Sequence, residues 1–276
     1  MALISKLFKY FIYFPLLKLI FYVAIKLKGK NFVNLFNLYS FLSGTKNRIS
    51  FKENSYFCSE FDWKFSYKTQ GLYAYGKGFQ KRIQELKSSY LIKKINFMDN
   101  DIIIDIGANN GDFYLCFEKK IKYYAFEPSP AVFSNLIYNV KKQELFNKGV
   151  WKSSDKNITF YLSDEFGDSS ILPIKNFSQK VKIETTTLDI IFNNINKPIK
   201  LLKLEAEGSE PEILEGLKQN INQVNYITID CGFERGNEQS STISDCSNYL
   251  IRNNFKMIDF SSERTVALYE NQNFKL

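Results

Sequence analysis

Hydrophobic positions change their spacing several times along this chain. Residues 1–30 are apolar in runs (Leu7-Phe8, Tyr10 to Leu17, Leu19 to Ile25) broken by Pro15 and Lys18, and they read as helical. Residues 31–52 read as a polar-aromatic connector. Between 53 and 75 aromatics crowd together, and Phe61, Trp63, Phe65 and Tyr67 alternate as strand-like structure would. Gly71, Gly76 and Gly78 mark turns. The stretch Lys81 to Lys94 predicts a helix with Ile83, Leu86, Tyr90 and Leu91 on one side. Apolar runs then alternate with amphipathic segments. Strands are predicted at 101–105, 122–127, near 145–150, at 157–162, 181–185, 200–205 and 225–230. Helices are predicted near 112–120 and at 130–141, 210–219 and 242–253. Phe255 to Phe260 and Thr265 to Tyr269 read as a closing hairpin. Strands alternating with helices imply a parallel sheet in an α/β fold. No internal repeat or low-complexity tract is present.

The first strand of that alternation ends in chemistry. Ile102-Ile103-Ile104-Asp105-Ile106 has the β-branching of a buried strand and runs into Gly107-Ala108-Asn109-Asn110-Gly111-Asp112. Two glycines four apart allow a tight turn and a ligand lying against bare peptide. The next strand, Tyr123-Tyr124-Ala125-Phe126, ends in Glu127-Pro128. In a βαβ unit an acid about 20 residues past the glycine turn is placed to hold the ribose hydroxyls of a nucleoside. A pyrophosphate would need G-x-G-x-x-G at a bare helix N-terminus. Here no G-x-G occurs, and Asp105 and Asp112 flank the turn. Carboxylates repel a pyrophosphate and attract a sulfonium and an amino group, so the turn fits S-adenosylmethionine better than NAD. Asp105 is then expected near the methionine amine, directly or through water, and Glu127 at the ribose. A structural cap of the turn is the alternative for Asp105.

A second patch, Leu201-Leu202-Lys203-Leu204-Glu205-Ala206-Glu207-Gly208-Ser209-Glu210-Pro211-Glu212, joins this one. Together with D-I-G-A-N-N-G-D (105–112 in its core), F-E-P-S-P (126–130), T-T-L-D (186–189) and E-R-G (234–236), it resembles an FkbM-type S-adenosylmethionine-dependent methyltransferase over roughly residues 99–270. Where this family usually has K-I-D-V-E-G, this chain has K-L-E-A-E-G, so Glu205 keeps a carboxylate lengthened by one methylene. The resemblance implies a class I, Rossmann-like fold: a mostly parallel seven-stranded sheet with helices on both faces and the hairpin closing it. It implies O-methylation of a glycan or glycolipid precursor, with Gly107, Ala108, Asn109, Gly111 and Pro128 beside Asp105 and Glu127 at the cofactor. Expected domains are an N-terminal arm (1–52), an aromatic subdomain and helix (53–98) and the methyltransferase domain (99–276).

Ligands of open α/β sheets lie off the carboxyl ends of the strands. Asp105, Glu127, Glu205 and Asp230 each close a predicted strand there. Ser209 and Glu212 have capping-box spacing around Pro211, so Glu210 and Glu212 read as helix-dipole acids. Glu205 and Glu207 precede that helix and are open to three roles: facing the acceptor, acting as general base, or holding the loop. A hydroxyl acceptor must lose a proton, and without histidine the base is a carboxylate, less often Lys or Tyr. Glu205, Glu207 and Asp230 are the catalytic candidates. The same three could hold a divalent cation, but rim carboxylates commonly pair with cations instead, and Lys203 and Arg235 are the candidate partners, so no metal is expected. Glu234-Arg235, bracketed by Gly232 and Gly236, could orient an acceptor hydroxyl or form a local ion pair. Asp168-Ser169-Ser170 reads as a turn that could reach the acceptor, and Trp63 with its neighbours as core or as a sugar platform.

Charge is unevenly distributed. The chain has 37 Lys+Arg and 29 Asp+Glu, and no acid occurs before Glu53. Nine bases lie in residues 1–52, so the remaining 28 face 29 acids and the catalytic part is neutral. A spanning helix wants about 20 apolar residues, and Lys18 would sit mid-span at a cost of roughly 2.5–3.5 kcal/mol. Short amphipathic helices on an anionic membrane surface fit residues 1–30 better, with an ordinary packed helix as the alternative. No small-residue cleavage site follows an apolar core, which argues against a secretory signal. Four cysteines without C-x-x-C spacing suggest reduced thiols in the cytoplasm. The absence of histidine excludes His-based metal sites, Ser-His-Asp hydrolysis and Cys-His proteases. Nucleic acid is not an expected partner, because the basic excess is confined to the apolar arm. The competing readings are methylation of another small molecule or lipid, and a catalytically idle, membrane-attached member of the fold.

Overall fold

The computed structural model describes residues 13–44, 47–76, 78–163 and 169–274, in two compact units, Met1–Arg82 and Ile83–Leu276. The part of the basic arm before Tyr13, including Lys6 and Lys9, and the candidate Asp168 lie outside the described residues.

In the first unit, α1 (Phe14–Ala24) starts with a proline in its first turn and buries Leu17 and Ala24, one helical face, against α2 (Gly29–Leu42). The connector expected at 31–52 is largely this second helix. Phe32, Val33, Phe36 and Ser40 recur at helical spacing on its buried side, a pattern that the three interspersed asparagines obscure. The helix is followed by the antiparallel sheet β1 (Ile49–Lys52), β2 (Ser55–Cys58) and β3 (Trp63–Phe65). A boundary at 52 would cut the β1–β2 hairpin, and Asn37 on α2 both donates to Ile49 O (2.8 Å) and accepts from Ile49 N (2.9 Å). The division therefore falls after Arg82, within α4 (Phe79–Ser89), rather than at 52 and 98. The short α3 (Lys68–Tyr73) completes this unit. Its core is a chain of rings: Phe32 on Tyr56, Tyr56 on Phe65, Phe65 on Tyr75, Tyr75 on Phe79 and Phe79 on Trp63, with centroids 5.0–5.6 Å apart. Trp63 is buried, and its Nε1 donates to Tyr75 Oη (3.3 Å). Trp63 is thus core and not an exposed stacking platform.

The second unit holds the α/β layers. Seven strands order as β13-β14-β12-β11-β4-β5-β6, where β4 is Ile102–Ile106, β5 Lys122–Phe126, β6 Glu144–Phe146, β11 Ile199–Leu204, β12 Val224–Asp230, β13 Phe255–Ser261 and β14 Val266–Asn271. The five from β12 to β6 are parallel; β14 and β13 close the other edge antiparallel. This is the mostly parallel, seven-stranded sheet with a terminal hairpin that the class I resemblance implies. The strand order reverses direction at β4, which puts the switch point beside the glycine turn.

Alternate residues of β4 and β11 face two different layers. Ile102, Ile104, Ile106, Leu202 and Leu204 join one fully apolar cluster with α6 (Leu188–Ile195), α7 (Glu210–Glu215) and α8 (Ile243–Arg252) through Leu188, Phe192, Ile213, Leu214 and Leu250. Burying each such side chain is worth about 1.5–3 kcal/mol. The opposite parity carries Asp105 and Lys203, covered by Tyr90 and Phe113. On that side α5 (Pro130–Asn139) brings Leu136 and Val140 against Gly111.

Four sequence expectations shift. The helix expected near 112–120 is a single 3-10 turn, Asp112–Cys116, which ends at Phe117. The strand expected at 145–150 splits into β6 and β7 (Gly149–Val150), the latter pairing with β10 (Thr185–Thr186) in a separate two-stranded sheet. The strands expected at 157–162 and 181–185 become β8 (Ile158–Leu162) and β9 (Gln179–Ile183), an antiparallel pair outside the main sheet. The helix α6 was not expected; Thr187 caps it, its Oγ1 accepting from Ile190 N (3.2 Å), and Asn196 ends it in the left-handed region.

Candidate functional site

The glycine turn is built by its neighbours on both sides. Gly107 N and Ala108 N both donate to Phe126 O at the end of β5 (3.0 and 3.1 Å). Gly107 has φ +74°, and a Cβ there would lie 1.8 Å from Glu205 O, so only glycine lets the β4 turn pass this close to the loop after β11. Asn109, itself at φ +49°, presents its N–H to Glu127 Oε2 (3.0 Å), while Glu127 Oε1 accepts from Ser129 N (2.8 Å). Burial raises the Glu127 pKa to about 7 against these two backbone donors. Pro128 O and Glu127 O are held by Asn147 Nδ2 (3.1 and 2.8 Å). Asn110 turns inward, accepting at Oδ1 from Asn135 Nδ2 (3.1 Å). Gly107 and Asn109 stay half-buried beside the Glu127 carboxylate. Of the six residues expected around Asp105 at the cofactor, Gly107, Ala108, Asn109 and Gly111 form the turn after β4, and Glu127 and Pro128 follow β5 beside it.

Asp105 is placed differently from expectation. Its side chain is fully buried, its Oδ1 lies 2.9 Å from Lys203 Nζ, and its Oδ2 accepts from Tyr123 Oη. Direct contact with an amine is closed, because parity on β4 aims the carboxylate into the layer below the rim. Lys203, also buried, reaches Glu205 Oε2 (3.0 Å) and donates to Gly107 O (2.9 Å) and Ile106 O (3.4 Å). One ammonium therefore ties β4, the glycine turn and the β11 loop together. Burial alone would lower the Lys203 pKa, but Asp105, Tyr90 and Glu205 outweigh it and keep the group charged.

Glu205 sits at the centre of a chain of ion pairs. Besides Lys203 it accepts from Tyr90 Oη and from Arg264 Nη2 (3.1 Å), and Arg264 also binds Asp230 Oδ2 (2.6 Å). Burial works against ionisation of Glu205, yet Lys203, Arg264 and Tyr90 hold its pKa down at about 2. Such a carboxylate is a poor proton acceptor at neutral pH, which removes Glu205 as general base and makes it an anchor. Asp230 spends its second oxygen on Gly232 N (3.1 Å). The candidate cation pair Lys203 and Arg235 is half right: the sequence missed Arg264, which the β13–β14 turn brings over β12, where Asp230 pairs with Val266.

Arg235 instead forms a two-pronged pair with Glu212 (2.6 and 2.9 Å) and donates to Gly208 O (2.6 Å). Its guanidinium is committed to the loop, so the acceptor-binding expectation fails for it, and Glu212 is an ion-pair partner rather than the closing member of a capping box. Ser209 makes no side-chain cap. Glu210 does open α7 as a first-turn acid, but it is buried: it accepts from Ala206 N (2.8 Å) and Gly208 N (3.3 Å) at Oε1, and burial lifts its pKa to about 7. Glu207, half-buried at φ +51°, offers its carbonyl to Ser170 Oγ (3.0 Å). Glu234 does not pair with Arg235; it is exposed, and its carboxylate folds back over Gly232. Asp189 of T-T-L-D is structural, accepting from Lys218 N, Gln219 N and Asn220 N (3.0–3.1 Å). Among the described residues no group of three acids, cysteines or histidines is arranged to hold a metal ion.

The donor set suits S-adenosylmethionine. A carboxylate acceptor stands beside half-exposed peptide at the switch point. The interior cluster sets three carboxylates (Asp105, Glu205, Asp230) against two cations (Lys203, Arg264), leaving a negative balance that favours a sulfonium.

Comparison with known proteins points the same way. The chain matches the methyltransferase FkbM domain over residues 105–259, more than half its length. It is 26% identical over 143 residues to the hexuronic acid methyltransferase AglP of Haloferax volcanii, covering 48% of this chain and 56% of that one. It is 25% identical over 183 residues to the 2-O-methyltransferase NoeI of Sinorhizobium fredii, covering 57% and 74%. The first of these relatives is therefore matched over little more than half its length. A crystal structure of methyltransferase FkbM from Methylobacillus flagellatus aligns with a TM-score of 0.44 at 16% identity, covering 64% of this chain and 45% of that chain. In keeping with the sheet order and the glycine turn, the domain match places this chain in the FkbM methyltransferase family.

Proposed function

We propose that this protein transfers a methyl group from S-adenosylmethionine to a hydroxyl of a saccharide, in a surface glycan or a lipid-linked precursor, on the cytoplasmic side of a membrane. The observation that carries the cofactor part is the Glu127 carboxylate locked beside Asn109 at the switch point of the sheet. A relative named for a hexuronic acid supports the saccharide part, and one named for 2-O-methylation supports an oxygen as the acceptor atom.

When bound, the cofactor supplies a sulfonium-activated methyl group open to in-line attack by an oxygen. The protein's part is positioning. Glu127 accepts the ribose hydroxyls, with Ala108, Asn109 and Pro128 forming the wall. Asp105 acts one step away, by fixing Lys203 under Gly107. Glu205 and Asp230 hold Arg264 at the rim, and Glu207 borders the acceptor side. The test is incubation with tritiated-methyl S-adenosylmethionine and a panel of simple glycosides, led by methyl β-D-glucuronide. Label in an alkali-stable methyl ether supports the reading; label in an alkali-labile ester, or in protein, contradicts it.

The first unit supports a membrane-side location. The face of α1 opposite α2 exposes Leu19, Tyr22 and Val23 together with Lys18, and the exposed Lys26, just past the helix end, has its Nζ 4.1 Å over the Tyr22 ring. Apolar residues with lysines that can extend to headgroups suit an anionic bilayer surface. Among the described residues no helix is long and apolar enough to cross a membrane. Cosedimentation with vesicles containing phosphatidylglycerol, lost in Leu19→Glu/Tyr22→Glu, is the expected result; equal recovery of both proteins with the lipid would contradict it.

A further inference from the structure

The methyl-transfer reading leaves the acceptor's proton without a destination, and the rim narrows the choice. Tyr90 donates its own hydroxyl proton to Glu205, and Lys203 stays charged between Asp105 and Glu205. Glu205 is held by three donors, Asp230 by Arg264 and Gly232 N, Glu210 by two backbone N–H groups and Thr242 Oγ1 (3.3 Å), and Glu127 by Asn109 N and Ser129 N. Glu207 is also engaged. Glu234 is different. Its backbone follows the β12 end by four residues, and its carboxylate oxygens lie 3.0 and 3.1 Å from where a Gly232 Cβ would be. A side chain at 232 would displace it. Among the described residues no donor or cation pairs with it.

Resting on the methyltransferase reading, we propose that Glu234 is the general base that receives the acceptor hydroxyl's proton. In the step, the hydroxyl O–H bond breaks toward a Glu234 oxygen as the acceptor oxygen forms its bond to the methyl carbon. The methyl–sulfur bond breaks with its electron pair returning to sulfur, giving the thioether S-adenosylhomocysteine, and the proton leaves Glu234 to solvent. The surroundings suit the task. Desolvation at the rim, then Asp230, Glu205 and Glu210, raise the Glu234 pKa to about 8 against the opposing pull of Arg264. A base is most effective when its pKa is near the working pH. Glycine at 232 gives the carboxylate its place over the rim, and solvent exposure gives the proton its exit.

The experiment pairs a titration with kinetics on the full chain. In protein labelled with [5-13C]glutamate, the Glu234 resonance is identified by its absence in Glu234→Gln. A midpoint near 8 is expected, moving down in Asp230→Asn. In the glycoside assay Glu234→Gln should lose at least about 100-fold in turnover while S-adenosylhomocysteine affinity stays within twofold, and Glu234→Asp should recover part of the rate. A midpoint at or below 5, or turnover by Glu234→Gln within threefold of the parent, would overturn the assignment. Failure of the parent protein to bind S-adenosylhomocysteine would instead bring down the methyltransferase reading itself, and this base with it.

Discussion

The two strand-end turns of the sheet, 106–112 after β4 and 205–210 after β11, solve one problem in opposite ways. Each leaves backbone N–H groups pointing inward, each bends through left-handed residues that include a glycine, and each is capped by a buried glutamate whose pKa rises to about 7. The first cap, Glu127, comes from the neighbouring strand β5 and holds one N–H of the turn. The second, Glu210, comes from the next residues of the chain and spends its oxygens on Ala206, Gly208 and Thr242. A cap borrowed from another strand keeps its turn beside half-exposed peptide where a ligand can lie. A local cap spends its oxygens on its own turn and on Thr242. A raised carboxylate pKa alone does not separate the two; the source of the acid and its remaining acceptor capacity do.

Lys203 joins the turns, and removing it breaks the comparison most severely. Lys203→Met leaves Asp105 buried and unpaired, and loss of one member of a buried pair costs about 3–5 kcal/mol. Urea unfolding should show that loss; a change below about 1 kcal/mol would mean that the ammonium is not what couples the turns.

The two caps make a pH prediction of nearly the same size. Each glutamate holds a proton in the folded chain between about pH 4.5 and 7, where the unfolded chain has released it. The stability these two groups contribute therefore falls as pH rises through that window, by about 3 kcal/mol per group, and their contribution is flat above it. Glu210→Gln should remove its share of the slope and leave cofactor affinity intact. Glu127→Gln should flatten the slope equally and weaken the cofactor, a split that chemical denaturation and calorimetry together would read.

A smaller effect is expected at Arg235, which clamps the second turn through Glu212 and Gly208 O. Because both side chains are partly exposed, Arg235→Ala should cost only about 1–2 kcal/mol, and it should loosen protection of the Ala206 and Gly208 amides in hydrogen exchange. Least of all, Lys87→Ala removes a surface pair with the largely exposed Glu118 and should change stability by less than about 0.5 kcal/mol.

What could be read from the residues tracks how local the causes are. The β4, β5, β11 and β12 strands are short apolar runs with an acid at or just past the end, and the hairpin is two apolar runs around a polar turn, so their positions and the carboxylate rim were legible. The glycine turn was legible because it depends on its own backbone. Helix α6 was not: Ile190-Ile191-Phe192 is as long as a strand, and only Thr187 and Asn196 mark its ends. The helix expected after Gly111 collapsed to one 3-10 turn, with Phe113 packed on Tyr90 and Phe117. Arg264 was hidden because its partners lie on other strands, and Arg235 was misassigned because its neighbour in sequence, Glu234, is not its partner in space. Asp105 closes the expected strand, but strand parity buries its carboxylate against Lys203 and Tyr123, partners on other strands that its own neighbours in sequence do not reveal.

The central claim is that the borrowed cap marks the cofactor site. Calorimetric titration of the full chain with S-adenosylhomocysteine, beside Glu127→Ala and Glu210→Gln, tests it most directly. Saturable binding that is weakened by Glu127→Ala and preserved in Glu210→Gln is the predicted result. No binding by the folded parent protein, or equal affinity in the parent and Glu127→Ala, would contradict the account.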